Sequence, residues 1–361
     1  MPDIPSLRKS AMRNGPNVRA IFRLRAGTAT PIGNTEIALM FTLPELETAA
    51  EIVGRHMPPT PQYHWPLLSR RAGCEVVVKH ENHTPIGAFK VRGGIVYMDD
   101  LVRSGAKIDG VITATRGNHG QSVARAASAV GLKSVILVPH GNSTEKNTAM
   151  RAFGAELIEH GVDFDEAKDE AYRLAATRNL HIVPSYHPAL VKGVATAGRE
   201  LLMAEPDLDT VYVPIGMGSG VGGMIMARDL LGLKTEVVGV VAENAPCIAL
   251  SVAAGRPVAT NTAATFADGM ACRVPDPVSL DVISRGVARV VTVTEDQIAD
   301  AMRAYYEDTH NLAEGAGAAA FAALMQERGK MAGKRVGVVL SGGNVDRPVY
   351  AKVLAGKTPT V

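Results

Sequence analysis

Residues 210–223 read TVYVPIGMGSGVGG. A run of β-branched and aromatic residues gives way to glycines at 216, 218, 220, 222 and 223 before a helical pattern resumes. A strand that breaks into repeated glycines and then a helix turns backbone N–H groups and the positive end of a helix dipole toward the space in front of it. That is a cradle for an anion such as a phosphate. The same stretch fits a second reading. Gly218, Gly220 and Gly223 have the spacing of a dinucleotide fingerprint, and Glu243 closes the next apolar run about where a ribose-binding acid would sit. This segment alone leaves a phosphate site and a nicotinamide dehydrogenase both open.

Outward from it, the chain alternates apolar runs with helical patterns. The strand-like runs are Glu75–Lys79, Gly110–Ala114, Ser134–Val138, Glu156–Glu159, Thr210–Pro214, Glu236–Val241, Val287–Val293 and Arg335–Leu340. Most are continuous rather than alternating, as strands buried on both faces are. Helices are predicted at Gln121–Val130, Thr144–Phe153, Phe164–Arg178, Val194–Ala204 and Glu295–Thr309, the last opened by a capping box from Thr294 to Gln297. Strand and helix in alternation predict an α/β fold with parallel sheets and right-handed crossovers.

Composition agrees and narrows the function. The 361 residues are 46 % apolar and 20 % charged, with 38 basic against 36 acidic side chains. Such balance excludes a strongly cationic nucleic-acid or membrane-surface protein, so neither partner is expected. No apolar run is long enough to span a bilayer. Three cysteines without a CxxC spacing exclude a disulfide framework and favour a reducing, cytoplasmic setting. Residues 1–39 carry six arginines and lysines and two acids, which reads as a disordered basic extension ahead of a fold that begins near Met40.

Three other segments sit where a strand should end, the place where ligands bind in open α/β sheets. Residues 79–94 read KHENHTPIGAFKVRGG and put Lys90 among small neighbours. His80 and His83 lack the HExxH spacing of a zinc protease, and no metal is expected. Residues 113–121 read TATRGNHGQ, a strand end opening into a helix whose N–H groups suit a carboxylate. Residues 340–344 read LSGGN, where Ser341 is either a helix cap or a site hydroxyl.

In this order and spacing the four segments resemble the fold type II pyridoxal-phosphate enzymes, which include threonine and serine ammonia-lyases, serine racemase, hydroxyaspartate ammonia-lyases and cysteine synthases. The resemblance runs from about Pro58 to Asn344 and implies a tryptophan synthase β-like architecture of two α/β domains. The small domain would be residues 95–188 and the large one 40–94 with 189–361. By the same resemblance Lys90 binds the cofactor as a Schiff base, and Asn118 lies beside its phenolic oxygen. Gly216, Met217, Gly218, Ser219 and Gly220 cradle its phosphate, while Ser341 meets the pyridine nitrogen. Thr115, Arg116, Gly117 and His119 then hold the substrate. No regulatory domain is expected after the fourth segment, and a homodimer or higher homo-oligomer is.

The implied reaction is dehydrative deamination of an amino acid such as L-threonine or L-serine to a 2-oxo acid and ammonia. A hydroxyl at the pyridine nitrogen leaves it unprotonated, a weaker electron sink that suits β-elimination better than transamination. The chain departs from the family's pattern at Ala88, where Ser is usual, in its broken glycine run, and at Arg116, where the racemase has a catalytic serine. Arg116 either pairs with a substrate carboxylate, which points to 3-hydroxyaspartate, or turns outward as a structural residue. A racemase and a dehydrogenase are the remaining alternatives.

Overall fold

The computed structural model describes residues 40–360, so the extension at 1–39 lies outside the described residues. Ten strands are present among these residues: β1 (Gln62–His64), β2 (Glu75–His80), β3 (Gly110–Ala114), β4 (Lys133–Val138), β5 (Glu156–Glu159), β6 (Leu180–Ile182), β7 (Thr210–Pro214), β8 (Glu236–Ala242), β9 (Arg289–Val293) and β10 (Arg335–Leu340). They form a six-stranded sheet in the order β1-β2-β10-β7-β8-β9 and a four-stranded sheet in the order β5-β4-β3-β6. Every pairing is parallel except β1 with β2.

The continuous apolar runs have a direct explanation. Val76 and Val78 face one core while Val77 faces the other, and in β7 Tyr212 faces opposite to Val211 and Val213. Helices cover both faces, so neither set of alternate positions meets water. β1 and β6 escaped the sequence reading because each is three residues long and only partly buried. β9 starts at Arg289 rather than Val287, since Val287 caps the helix Pro277–Gly286. The helices Phe164–Arg178 and Glu295–Thr309 match their expected bounds, and the Thr294–Gln297 capping box is formed. Two helices begin earlier than expected. One starts at Pro188, where the His187 side chain accepts the Ala189 N–H, and the other at Asn118.

One buried ionic cluster ties β2 to the helix Lys90–Arg103. Arg92 is fully buried; its Nε donates to Glu81 at 2.7 Å and its Nη1 to Glu200 at 2.7 Å. Lys79, also fully buried, donates to Glu200 at 2.6 Å and to the Thr60 carbonyl at 2.7 Å. Two cations and two carboxylates close the cluster, so no charge is left over. Removing one member strands the others in low dielectric, which costs about 3–5 kcal/mol. Arg92→Met is therefore expected to lower the unfolding free energy by about that amount in urea titration. Arg178→Ala, which breaks the exposed pair with Glu156, should cost no more than about 1 kcal/mol. A loss for Arg92→Met no larger than for Arg178→Ala would contradict this account.

Candidate active site

Loops from the carboxyl ends of both sheets meet at one cavity. Lys90, Thr115, Arg116, Gly117, Asn118, His119, Gly216, Met217, Gly218, Ser219, Gly220 and Ser341 all line it. The structure thus brings every sequence-predicted site residue to one place, and adds Lys146, Asp268 and Glu314, which sequence reasoning missed.

Lys90 opens its helix, and its Nζ donates to Ser219 Oγ at 3.2 Å. Burial lowers its pKa to about 8, against a partial opposing pull from Glu314. Across the cavity, Gly218 has φ of +97° and is the N-cap of the helix Ser219–Leu230. A Cβ at Gly218 would collide with Ser279 Oγ, and one at Gly216 with the Gly269 carbonyl. Only glycine lets this loop fold so tightly, and the turn leaves the helix's first N–H groups without intrahelical partners. Ser341 is buried and follows β10; its carbonyl accepts the Phe89 N–H, while its hydroxyl has no hydrogen-bond partner among the described residues. It caps no helix.

Asn118 and His119 occupy the first turn of the helix Asn118–Ala129 rather than the loop before it. Asn118 Nδ2 donates to Glu314 Oε1 at 2.6 Å, and its Oδ1 accepts from Asn344 Nδ2 at 2.8 Å. His119 is buried, its pKa pushed down to about 3 by burial and by Lys90, and its Nε2 has no hydrogen-bond partner among the described residues. Arg116 is exposed at the cavity wall and has no hydrogen-bond or ion-pair partner among the described residues.

Lys146 Nζ lies 2.7 Å from Asp268 and 3.7 Å from Glu314 Oε2. Although burial opposes its charge, those carboxylates hold its ammonium above the ordinary lysine range. Glu314 is buried, which raises its pKa to about 7 while Lys146 pulls it down. One signal for Glu314 was present in the sequence. It precedes GAGAAAFAAL, a helix start with no polar residue that has to be buried, carrying Glu314 in with it. His80 and His83 stack at 4.9 Å and bond to Trp65 and Asn311, away from this cavity.

The site therefore holds a half-buried amine of lowered pKa, an N–H-rich glycine turn, an amide and an unengaged hydroxyl. These residues fit pyridoxal phosphate: an aldehyde, a phosphate, a phenolic oxygen and a ring nitrogen each find a complementary group. A family model described as pyridoxal-phosphate dependent enzyme matches residues 53–342. The chain belongs to that family. The match removes the nicotinamide dehydrogenase alternative. The biosynthetic L-threonine dehydratase of Salmonella typhimurium is 35 % identical over 290 residues, covering 80 % of this chain and 56 % of that protein. The chain thus spans about half the length of this relative. The L-threonine ammonia-lyase of Thermotoga maritima is 33 % identical over 316 residues, covering 87 % of this chain and 78 % of that protein. The solved structure of the processed form of threonine deaminase isoform 2 from Solanum lycopersicum superposes with a TM-score of 0.79 at 28 % identity, over 91 % of this chain and 99 % of that one.

For this pyridoxal-phosphate dependent enzyme the state of Lys90 is directly measurable. Below about pH 8 its Nζ is an ammonium, and above that it is a free amine. In the cofactor-free protein, modification of Lys90 by an amine-selective reagent should rise about tenfold per pH unit and level off near pH 8. A Lys90 that continues to gain reactivity up to pH 10 would show that burial does not lower its pKa.

Proposed function

We propose that the chain catalyses the dehydrative deamination of a β-hydroxy amino acid of the L-threonine or L-serine type, giving a 2-oxo acid and ammonia. The observation that carries this reading is that one cavity holds both the half-buried Lys90 amine and the Ser341 hydroxyl, on a chain whose relatives are threonine dehydratases. In this proposal Lys90 holds the cofactor, Asn118 meets its phenolic oxygen, Gly216–Gly220 hold its phosphate, and Ser341 meets its ring nitrogen. Pyridoxal phosphate, when bound, supplies the electron-withdrawing ring that stabilises negative charge at the substrate Cα.

The remaining work falls to this chain's own groups. In its free-amine form, which the pKa lowered to about 8 makes more accessible than for an exposed lysine, Lys90 accepts the Cα proton. The substrate carboxylate docks on Thr115, Gly117 and the first turn of the helix Asn118–Ala129, where backbone N–H groups and the helix dipole favour an anion. His119 stays neutral there and offers an uncharged ring nitrogen. Departure of the β-hydroxyl as water and uptake of water at the former amine carbon balance the reaction to one 2-oxo acid and one ammonium ion.

We divide the chain into a small domain at residues 95–188, supported by the four-stranded sheet that lies within it, and a large one at 40–94 with 189–361, which carries the six-stranded sheet. Three buried free cysteines, Cys74, Cys247 and Cys272, support a cytoplasmic enzyme, and we place it there as a homo-oligomer. A second reading is favoured by Arg116, an exposed cation without a partner on the cavity wall. It fits a substrate with a second carboxylate, such as 3-hydroxyaspartate.

Lys90→Ala is expected to lower 2-oxo acid release from L-threonine or L-serine by at least about a hundredfold, since both the attachment point and the proton acceptor are lost. Near-normal turnover in that variant would overturn the reading. Arg116→Ser separates the two substrates. If the guanidinium reads a second carboxylate, the kcat/KM ratio of 3-hydroxyaspartate over threonine falls about tenfold or more, as loss of a charge-assisted bond requires. An unchanged ratio leaves the threonine type alone.

A further inference from the structure

The Asn118 amide is held from both sides, and the order of its bonds is fixed by chemistry. Asn344 Nδ2 donates to the Ile86 carbonyl at 2.8 Å, and a carbonyl can only accept, so that end of Asn344 is its NH2 group. The same nitrogen donates its other hydrogen to Asn118 at 2.8 Å, so the atom facing it is the Asn118 oxygen. The far end of Asn118 is then its NH2 group, which donates one hydrogen to Glu314 Oε1 at 2.6 Å. One N–H of Asn118 remains, on a residue that lines the cavity.

Glu314 is placed for this task at the expense of another. It stands at the N-cap of the helix Gly315–Gln326, yet its side chain makes no capping bond. Gly342 leaves it room, since a Cβ there would collide with Glu314 Oε1. Gly117 does the same for Lys146, whose Cδ would lie 2.7 Å from a Cβ at that position. Asn118 follows β3 of the four-stranded sheet, whereas Asn344 follows β10 of the six-stranded one, so the hold on the amide reaches from one sheet's loops to the other's.

We infer that Asn344 and Glu314 are positioning residues that fix Asn118 as a hydrogen-bond donor, not an acceptor, toward the cofactor. The relay from the Ile86 carbonyl through Asn344 and Asn118 to Glu314 admits one amide orientation only. An acceptor on the cofactor, such as an oxygen anion, is welcomed by it and a donor is not. The inference rests on membership of the pyridoxal-phosphate family and extends the site reading to residues that do not themselves take part in proton transfer.

Cofactor binding to the full chain tests this without substrate. In the cofactor-free protein, titrated with pyridoxal phosphate, Glu314→Ala should raise the Kd about tenfold and shift the absorption band of the bound cofactor, because the acceptor that holds the amide is lost. Glu314→Gln keeps a carbonyl acceptor at the same place and should restore the Kd to within about threefold of the native chain. Asn344→Ala releases the amide from the other side and should reproduce the tenfold loss, which keeps the test alive if Glu314→Ala does not fold. Native affinity and an unshifted band in Asn344→Ala, or equal losses in Glu314→Ala and Glu314→Gln, would overturn the inference. No reading here involves an amino-acid substrate, so failure of the threonine-type assignment would leave these results standing.

Discussion

A half-buried lysine amine with no carboxylate in hydrogen-bond reach among the described residues is the constraint on which this site depends. Desolvation penalises its charged form, so Lys90 sits closer to a free amine than an exposed lysine does. Its hydrogen bond is to a serine hydroxyl, a neutral partner that does not restore the charge. The buried cations near the cavity are treated differently. Lys79 and Arg92 share Glu81 and Glu200, and Lys146 takes Asp268 and Glu314. The carboxylates are thus committed elsewhere, and Lys90 is left as the reactive amine.

That arrangement also holds the amine still. Arg92 lies two residues beyond Lys90 in the same helix, and its guanidinium is bonded to Glu81, just past the end of β2, and to Glu200. A helix start anchored so close to the reactive residue fixes where the Nζ can reach. On the opposite wall, Gly218 permits a left-handed turn that no side-chain-bearing residue would adopt there, with Ser279 packed behind it. Rigidity on both walls is what a site that must position a cofactor requires.

Much of this was legible in the sequence, and the limits of that legibility are physical. The central strands were readable because they are buried on both faces and therefore continuously apolar, as in Arg335–Leu340. β1 and β6 were not, being too short and too exposed to carry a pattern. The glycine turn, Lys90, Asn118 and Ser341 were found because each lies at the end of an apolar run. Lys146, Asp268 and Glu314 were missed for the opposite reason. Their contacts are with partners more than forty residues away along the chain, and a charged residue whose partner is remote looks like any solvated one unless, as for Glu314, an apolar helix follows it. Arg116 stayed ambiguous in sequence because direction is a tertiary property; the fold sets it at the cavity wall, unpaired among the described residues.

The central claim is that Lys90 is the amine of this pyridoxal-phosphate site. Loading the protein with pyridoxal phosphate, reducing it with borohydride and mapping the labelled peptide tests that claim most directly. The account predicts a visible absorption band that borohydride bleaches, and one pyridoxyl group, on the peptide carrying Ala88-Phe89-Lys90-Val91. A label on another lysine with Lys90 unmodified would contradict it.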